Sequence, residues 1–126
     1  SADLLRESVG INIGRRLATE LLSRKVEFTA VITANDLFAV GCYDVFTEAG
    51  IRIPDDVSVT GYHDVPLVDR LSPPLTTVRN PHYEIGVQAG RMVLDEMAGL
   101  GRESMTISLS PRLIVRGSTA PPPGSK

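Results

Sequence analysis

The chain has 126 residues, with 13 Lys+Arg against 15 Asp+Glu and a formal net charge of -2, so it holds one domain's worth of sequence and no multidomain enzyme. Its 42% hydrophobic and 22% charged residues can support a core, which excludes wholesale disorder and collagen-like structure. The near-balanced charge offers no electrostatic footprint for nucleic acid or an anionic membrane, because phosphate binding needs a clustered cationic surplus.

From Arg6 to Arg24 the apolar positions Val9, Ile13, Leu17, Leu21 and Leu22 recur every three or four residues and predict an amphipathic helix. Phe28 to Ala34 is a short, apolar, β-branched run without polar alternation, the pattern of a parallel strand covered on both faces. Asn35 and Asp36 can cap a helix, and Leu37 to Ala49 keeps Val40, Cys42, Val45 and Phe46 near one side before Gly50 closes it. Ile51 to Asp56 is a turn in which Pro54 cannot continue a ladder, and Val57 to Tyr62 resumes a strand. Strand, helix, strand is a parallel crossover. His63 to Pro66 leaves that strand's carboxyl end, Leu71 to Pro74 is irregular because its prolines restrict the residues before them, and Leu75 to Val78 is a short strand.

Tyr83 to Ala98 is predicted helical, with Ile85, Val87, Ala89, Met92, Val93, Leu94 and Met97 forming a broad apolar surface that Gly99 and Gly101 end. Thr106 to Leu109 and Leu113 to Val115 read as two short strands interrupted by Ser110-Pro111-Arg112, with Arg112 and Arg116 solvated beside the second. From Thr119 onward the chain should fray.

One cysteine, Cys42, forms no intramolecular disulfide, so the chain needs no oxidising compartment. Ser1 to Glu7 is charged and unlike a signal peptide, and no run approaches the roughly 18 apolar residues that span a bilayer. The expectation is a cytoplasmic protein with no membrane partner. In an open α/β sheet, ligands lie beyond the carboxyl ends of parallel strands. Two polar dipeptides stand there, Asn35-Asp36 and His63-Asp64. Asparagine donates and accepts, and a carboxylate or imidazole takes hydrogen bonds from hydroxyls, which suits a polyol-like ligand. On the alternative reading Asn35 and Asp36 only cap a helix while Asp64 only fixes a turn.

Catalysis finds little support. His63 and Asp64 are adjacent and adjacent side chains rarely face one another, no Gly-x-Ser-x-Gly elbow occurs, and Cys42 falls mid-helix, where a buried inert thiol is expected. His63 and His82 lack metal-type spacing, and no Gly-rich phosphate loop follows a strand. The chain is therefore expected to be no enzyme, with no catalytic residue, metal or cofactor.

The order of segments is informative: Thr29 to Asp36, Ala39-Val-Gly41, Glu48 to Val59, Gly61-Tyr-His-Asp64, Pro73-Pro-Leu-Thr-Thr-Val78, Gly86 with Ala89, and Pro111-Arg-Leu-Ile-Val-Arg116. Together, over residues 8 to 120, these resemble the carboxy-terminal effector-binding region of lactose-repressor-type (LacI/GalR family) transcription regulators. The resemblance implies an α/β, parallel-sheet, periplasmic-binding-protein-like (type I) lobe. Residues 1 to 78 would be the second lobe, 79 to 109 a segment crossing to a first lobe outside this chain, 110 to 120 a returning strand, and 121 to 126 a disordered tail.

It also implies a small-molecule effector, often a sugar or nucleobase, held between the lobes, and DNA bound only through a helix-turn-helix outside this chain. Asn35 matches the position that contacts effector hydroxyls. His63 falls where the family usually has a ligand-binding Asp, and a histidine supplies no fixed carboxylate for paired sugar hydroxyls. Val9 lies near a position where many members stack an aromatic on the ligand, and Asp36 and Asp64 match supporting positions. Deprived of its sheet, the helix from Tyr83 to Met97 must fold onto its own chain, dimerise or stay disordered. A homodimer is expected, with exchange of the C-terminal segment as one route. The competing reading is a periplasmic-type solute-binding protein of an ABC transporter, whose lobes are alike.

Overall fold

The computed structural model describes residues 9 to 100 and 105 to 124. The predicted helix start at Arg6, the stop at Gly101 and the last two residues lie outside the described residues. The elements are α1 (Val9–Ser23), β1 (Ala30–Ile32), α2 (Asp36–Glu48), β2 (Ser58–His63), a 3-10 turn (Val68–Arg70), β3 (Thr76–Arg79), α3 (His82–Met97) and β4 (Arg112–Ile114). The strands form one sheet in the order β1-β2-β3-β4, with β1, β2 and β3 parallel and β4 antiparallel to β3. Among the described residues no helix is long and apolar enough to cross a membrane.

Periodicity places the helices. Ile11, Gly14 and Ala18, rather than the predicted Val9 and Leu17, which are exposed, are the buried positions of α1, spaced three and four apart on one stripe. Only a small residue fits the close approach of α2 at Gly14. In α2 Ala39, Gly41, Cys42, Tyr43, Val45 and Phe46 are buried, because one side meets α1 and another meets the sheet. Phe46, Val59 and Leu75 are fully buried at the centre, and burial pushes the Cys42 thiol up to about 11, which keeps it protonated and unreactive at neutral pH. The crossing of α1 and α2 is close because it runs through glycines. A Cβ on Gly14 would lie 2.4 Å from the Phe38 carbonyl oxygen, and one on Gly41 2.4 Å from the Ile11 carbonyl oxygen.

Four further expectations are corrected. β1 is three residues long and an end strand of the sheet, with Ala30 and Ile32 exposed rather than covered; its apolar sequence is not matched by packing on both faces here. Residues 105 to 111 form no strand, since a strand needs a partner edge for its backbone groups. Thr119 and Ala120 are tied down instead of frayed: the Thr119 and Thr76 hydroxyls are 3.2 Å apart, and Ala120 N–H donates to Ser58 Oγ at 3.0 Å. Buried Ser118 explains this anchoring, as its Oγ donates to the Val59 carbonyl at 2.6 Å and accepts from Thr76 N–H at 2.8 Å. Finally, Arg116 is not solvated. It is 16% exposed and bound to Asp64.

The apolar helix α3 has no buried residue, and Tyr83 and Met97 are about four-fifths exposed. Of the three outcomes available to it, packing onto its own chain is not seen among the described residues.

Candidate functional site

Parallel pairing sets Val31 opposite Val59 and Ile32 opposite Thr60, and Thr33 N–H donates to the Thr60 carbonyl at 3.0 Å. Asn35 and His63 therefore follow the last paired residues by the same interval, at the carboxyl ends of neighbouring strands. Adjacent strands are about 5 Å apart. Asn35 is the N-cap of α2, its Oδ1 accepting from Phe38 N–H at 3.0 Å, which leaves the amide NH2 as its donor for anything beyond. Capping and strand-end placement thus coexist in one residue.

Asp36 is fully buried and works away from the surface. Its Oδ2 accepts from Val65 N–H at 2.8 Å and its Oδ1 from the Thr77 hydroxyl at 2.6 Å. It lies in the first turn of α2, where the helix end favours a negative charge. One carboxylate thereby joins α2, the loop after β2, and β3.

His63 and Asp64 have φ values of 107° and 57°, a left-handed backbone that non-glycine residues hold only when their surroundings impose it. The Asp64 carboxylate that follows this backbone is held from two sides, and its side chain is 6% exposed. Arg79 Nε donates to its Oδ2 at 2.5 Å, and Arg116 Nη2 to its Oδ1 at 2.7 Å, while Arg116 Nη1 also reaches the Leu75 carbonyl at 2.8 Å. Burial pushes the Asp64 carboxyl upward, but the hydrogen bonds from Arg116 and then Arg79 outweigh it and hold the group below the ordinary carboxylate range. At the turn before β2, hydrogen bonds from the Arg52 side chain and backbone bring exposed Asp56 down to about 2.

Both carboxyls are more acidic in the folded chain than in the unfolded one. Their contribution is full above the unfolded value near 4 and is lost as pH falls through the folded values. Urea midpoints should therefore decline between about pH 4 and pH 2, and Asp64→Asn should flatten that decline. An unchanged acid profile in Asp64→Asn would remove Asp64 from this account.

His63 opens into a cavity of about 400 Å³, walled also by Asp64, Arg79, Asn80, His82, Tyr83, Ser110 and Arg112. Asn80 Nδ2 is 3.3 Å from His63 Nδ1, and the His63 and His82 rings are 5.8 Å apart between centroids. Asn35 and Val9 do not line this cavity; Val9 is exposed at the start of α1. The structure thus joins His63 to Asp64 in one cavity and sets Asn35 at the neighbouring tip. Arg79 and Asn80 were missed, although they stand at the carboxyl end of β3 and His63 pairs with Arg79. The rule that picked out the tips of β1 and β2 would have found them. Ser110 and Arg112 become neighbours only through the antiparallel return of β4, which no local signal reveals.

The periplasmic binding protein-like domain family matches residues 5–119. The HTH-type transcriptional regulator MalR of Streptomyces coelicolor is 40% identical over 113 residues, 90% of this chain and 32% of that regulator. A LacI family transcriptional regulator from Enterococcus faecalis, solved with bound ribose, is similar in structure with a TM-score of 0.83 at 33% identity, over 90% of this chain and 42% of that one. A dimeric Lac repressor with an 11-residue C-terminal deletion gives a TM-score of 0.80 at 29% identity, over 86% of this chain and 40% of that one. The chain spans about a third of the length of the curated relatives it matches. These are regulators, and no transport protein is among them. The chain belongs to the family of periplasmic-binding-protein-like domains, in the form carried by LacI-type transcription regulators.

Proposed function

We propose that this chain is the effector-binding portion of a longer cytoplasmic transcription regulator, that it takes a small polar, sugar-like metabolite at Asn35 and His63, and that it catalyses nothing. The observation that carries the reading is the alignment of those two residues at the carboxyl ends of adjacent parallel strands, where such sheets receive ligands. Asp36 and Asp64 support the two tips from beneath, and Val9 stands in for a stacking aromatic. The likeness to a regulator solved with ribose agrees with a polyol ligand. DNA is bound through a helix-turn-helix elsewhere in the full-length protein, which acts as a homodimer; exchange of residues 79 to 109 is one way of forming it.

A ligand bridging two lobes shifts their arrangement only through its different affinity for the open and closed forms. This chain alone should then bind weakly, and tight binding by it in calorimetry would contradict a shared cleft. Within the full-length protein, Asn35→Ala should lower stability by about 1 kcal/mol through the lost cap and weaken effector binding about tenfold. Asn35→Asp keeps the cap, so its stability should match the parent while its affinity changes. Unaltered affinity in both variants would reduce Asn35 to a cap.

A further inference from the structure

The cavity at His63 presents two arginines, Arg79 and Arg112, against the carboxylates Asp64 and Glu84, and a site for a neutral sugar does not require guanidinium groups. Arg79 spends only Nε on Asp64, so its two terminal nitrogens remain at the wall. Arg112 is exposed on β4 and makes no ion pair among the described residues. Asp64 is already taken up by Arg79 and Arg116, which leaves Glu84 as the remaining carboxylate of the wall. Asn80 Nδ2 is 3.3 Å from His63 Nδ1; in the tautomer in which His63 accepts that contact its proton is on Nε2, and the imidazole then presents a donor where a carboxylate would present only acceptors. The first turn of α3 adds to this. Its N-cap is Pro81, which offers no side chain to the first backbone amides, and a helix start favours negative charge.

We propose that the effector is a polyol bearing an anionic group, phosphate or carboxylate, and that Arg79 and Arg112 bind that group while His63 donates to it. This rests on the sensor reading above and narrows its ligand class. Arginine forks match both oxyanions, and charge-assisted bonds are about twice as strong as neutral ones.

The test is calorimetry on the full-length protein with matched ligands: ribose against ribose 5-phosphate, and glucose against glucose 6-phosphate and gluconate. In at least one set the charged member should bind at least about tenfold tighter than its neutral partner, a gap of about 1.4 kcal/mol, and the phosphate and carboxylate arms tell which group is taken. Arg112→Gln should collapse that preference; exposed and without an ion pair, Arg112 is replaceable without loss of fold, which circular dichroism checks. Neutral sugars binding as tightly as every charged partner would overturn the anionic class and leave the sensor reading standing. A preference that survives Arg112→Gln and Arg79→Gln would overturn the assigned cavity. No binding of any member by the folded protein would overturn both this proposal and the sensor reading.

Discussion

Replacing Asp36 with alanine should lower stability by about 3 kcal/mol, because one buried and one part-buried donor lose their acceptor and a stranded buried group costs about 1–3 kcal/mol. The donors are Val65 N–H and the Thr77 hydroxyl. Water has no ready route in, since Asp36 and Thr77 are both fully buried, and Gly61 is bare at this point: a Cβ there would lie 2.2 Å from Asp36 Oδ1. Asp36→Asn should cost less. Its Oδ1 can still accept from Val65, and its amide can donate to the Thr77 oxygen, whose role reverses. Urea denaturation monitored by circular dichroism orders the three proteins. A loss in Asp36→Ala no greater than that of an exposed substitution would show that the carboxylate does not hold the loop after β2.

Gly41→Ala should cost about 3 kcal/mol, at the upper end for adding one carbon to a packed interior. The obstacles are backbone atoms. The new Cβ would meet the Ile11 carbonyl oxygen at 2.4 Å, the Arg15 nitrogen at 2.5 Å and the Gly14 carbonyl carbon at 2.8 Å, none of which can rotate aside. Relief requires α1 and α2 to separate, which opens the layer above Phe46. Gly14→Ala meets the Phe38 backbone from the other side, so the double variant should lose less than the sum of the singles, the helices having parted once already. Gly86→Ala, with open space around it, serves as control. A Gly41→Ala melting curve overlying that of Gly86→Ala would disprove close backbone contact at the crossing.

Features that depend on neighbours in sequence were legible. The Asn35 cap, the existence of α1 and the β2–α2 layer follow from patterns a few residues wide, and the parallel crossover follows from their order; the face that α1 buries does not, since its small residues Gly14 and Ala18 go inward while Val9 and Leu17 stay exposed. The segment order also carried the family resemblance. What could not be read were arrangements closed over long separations. Asp36 reads as a cap, yet its carboxylate reaches Thr77, and Arg116 reads as solvated, yet it turns inward to Asp64. Thr106 to Leu109 has strand-like residues, but pairing is a property of two segments and one of them is not supplied by the described residues. The tail was misjudged because Ser118 looks like any loop serine until it is found between Val59 and Thr76. For the candidate site, two tips were visible while the wall bearing Arg79 and Arg112 was not, since Arg112 arrives from the far end of the chain.

The paired grip of Arg79 and Arg116 on a single carboxylate has a mechanical consequence. Arg79 ends the strand that leads out to α3, and Arg116 lies just past the strand that comes back, so the outward and homeward legs are riveted to the same point. Swinging of the α3 arm against the sheet is then confined to Asn80-Pro81 on one leg and to the stretch ahead of Arg112 on the other. Those two places flank the cavity at His63, and a molecule lodged there would press directly on the fulcrum.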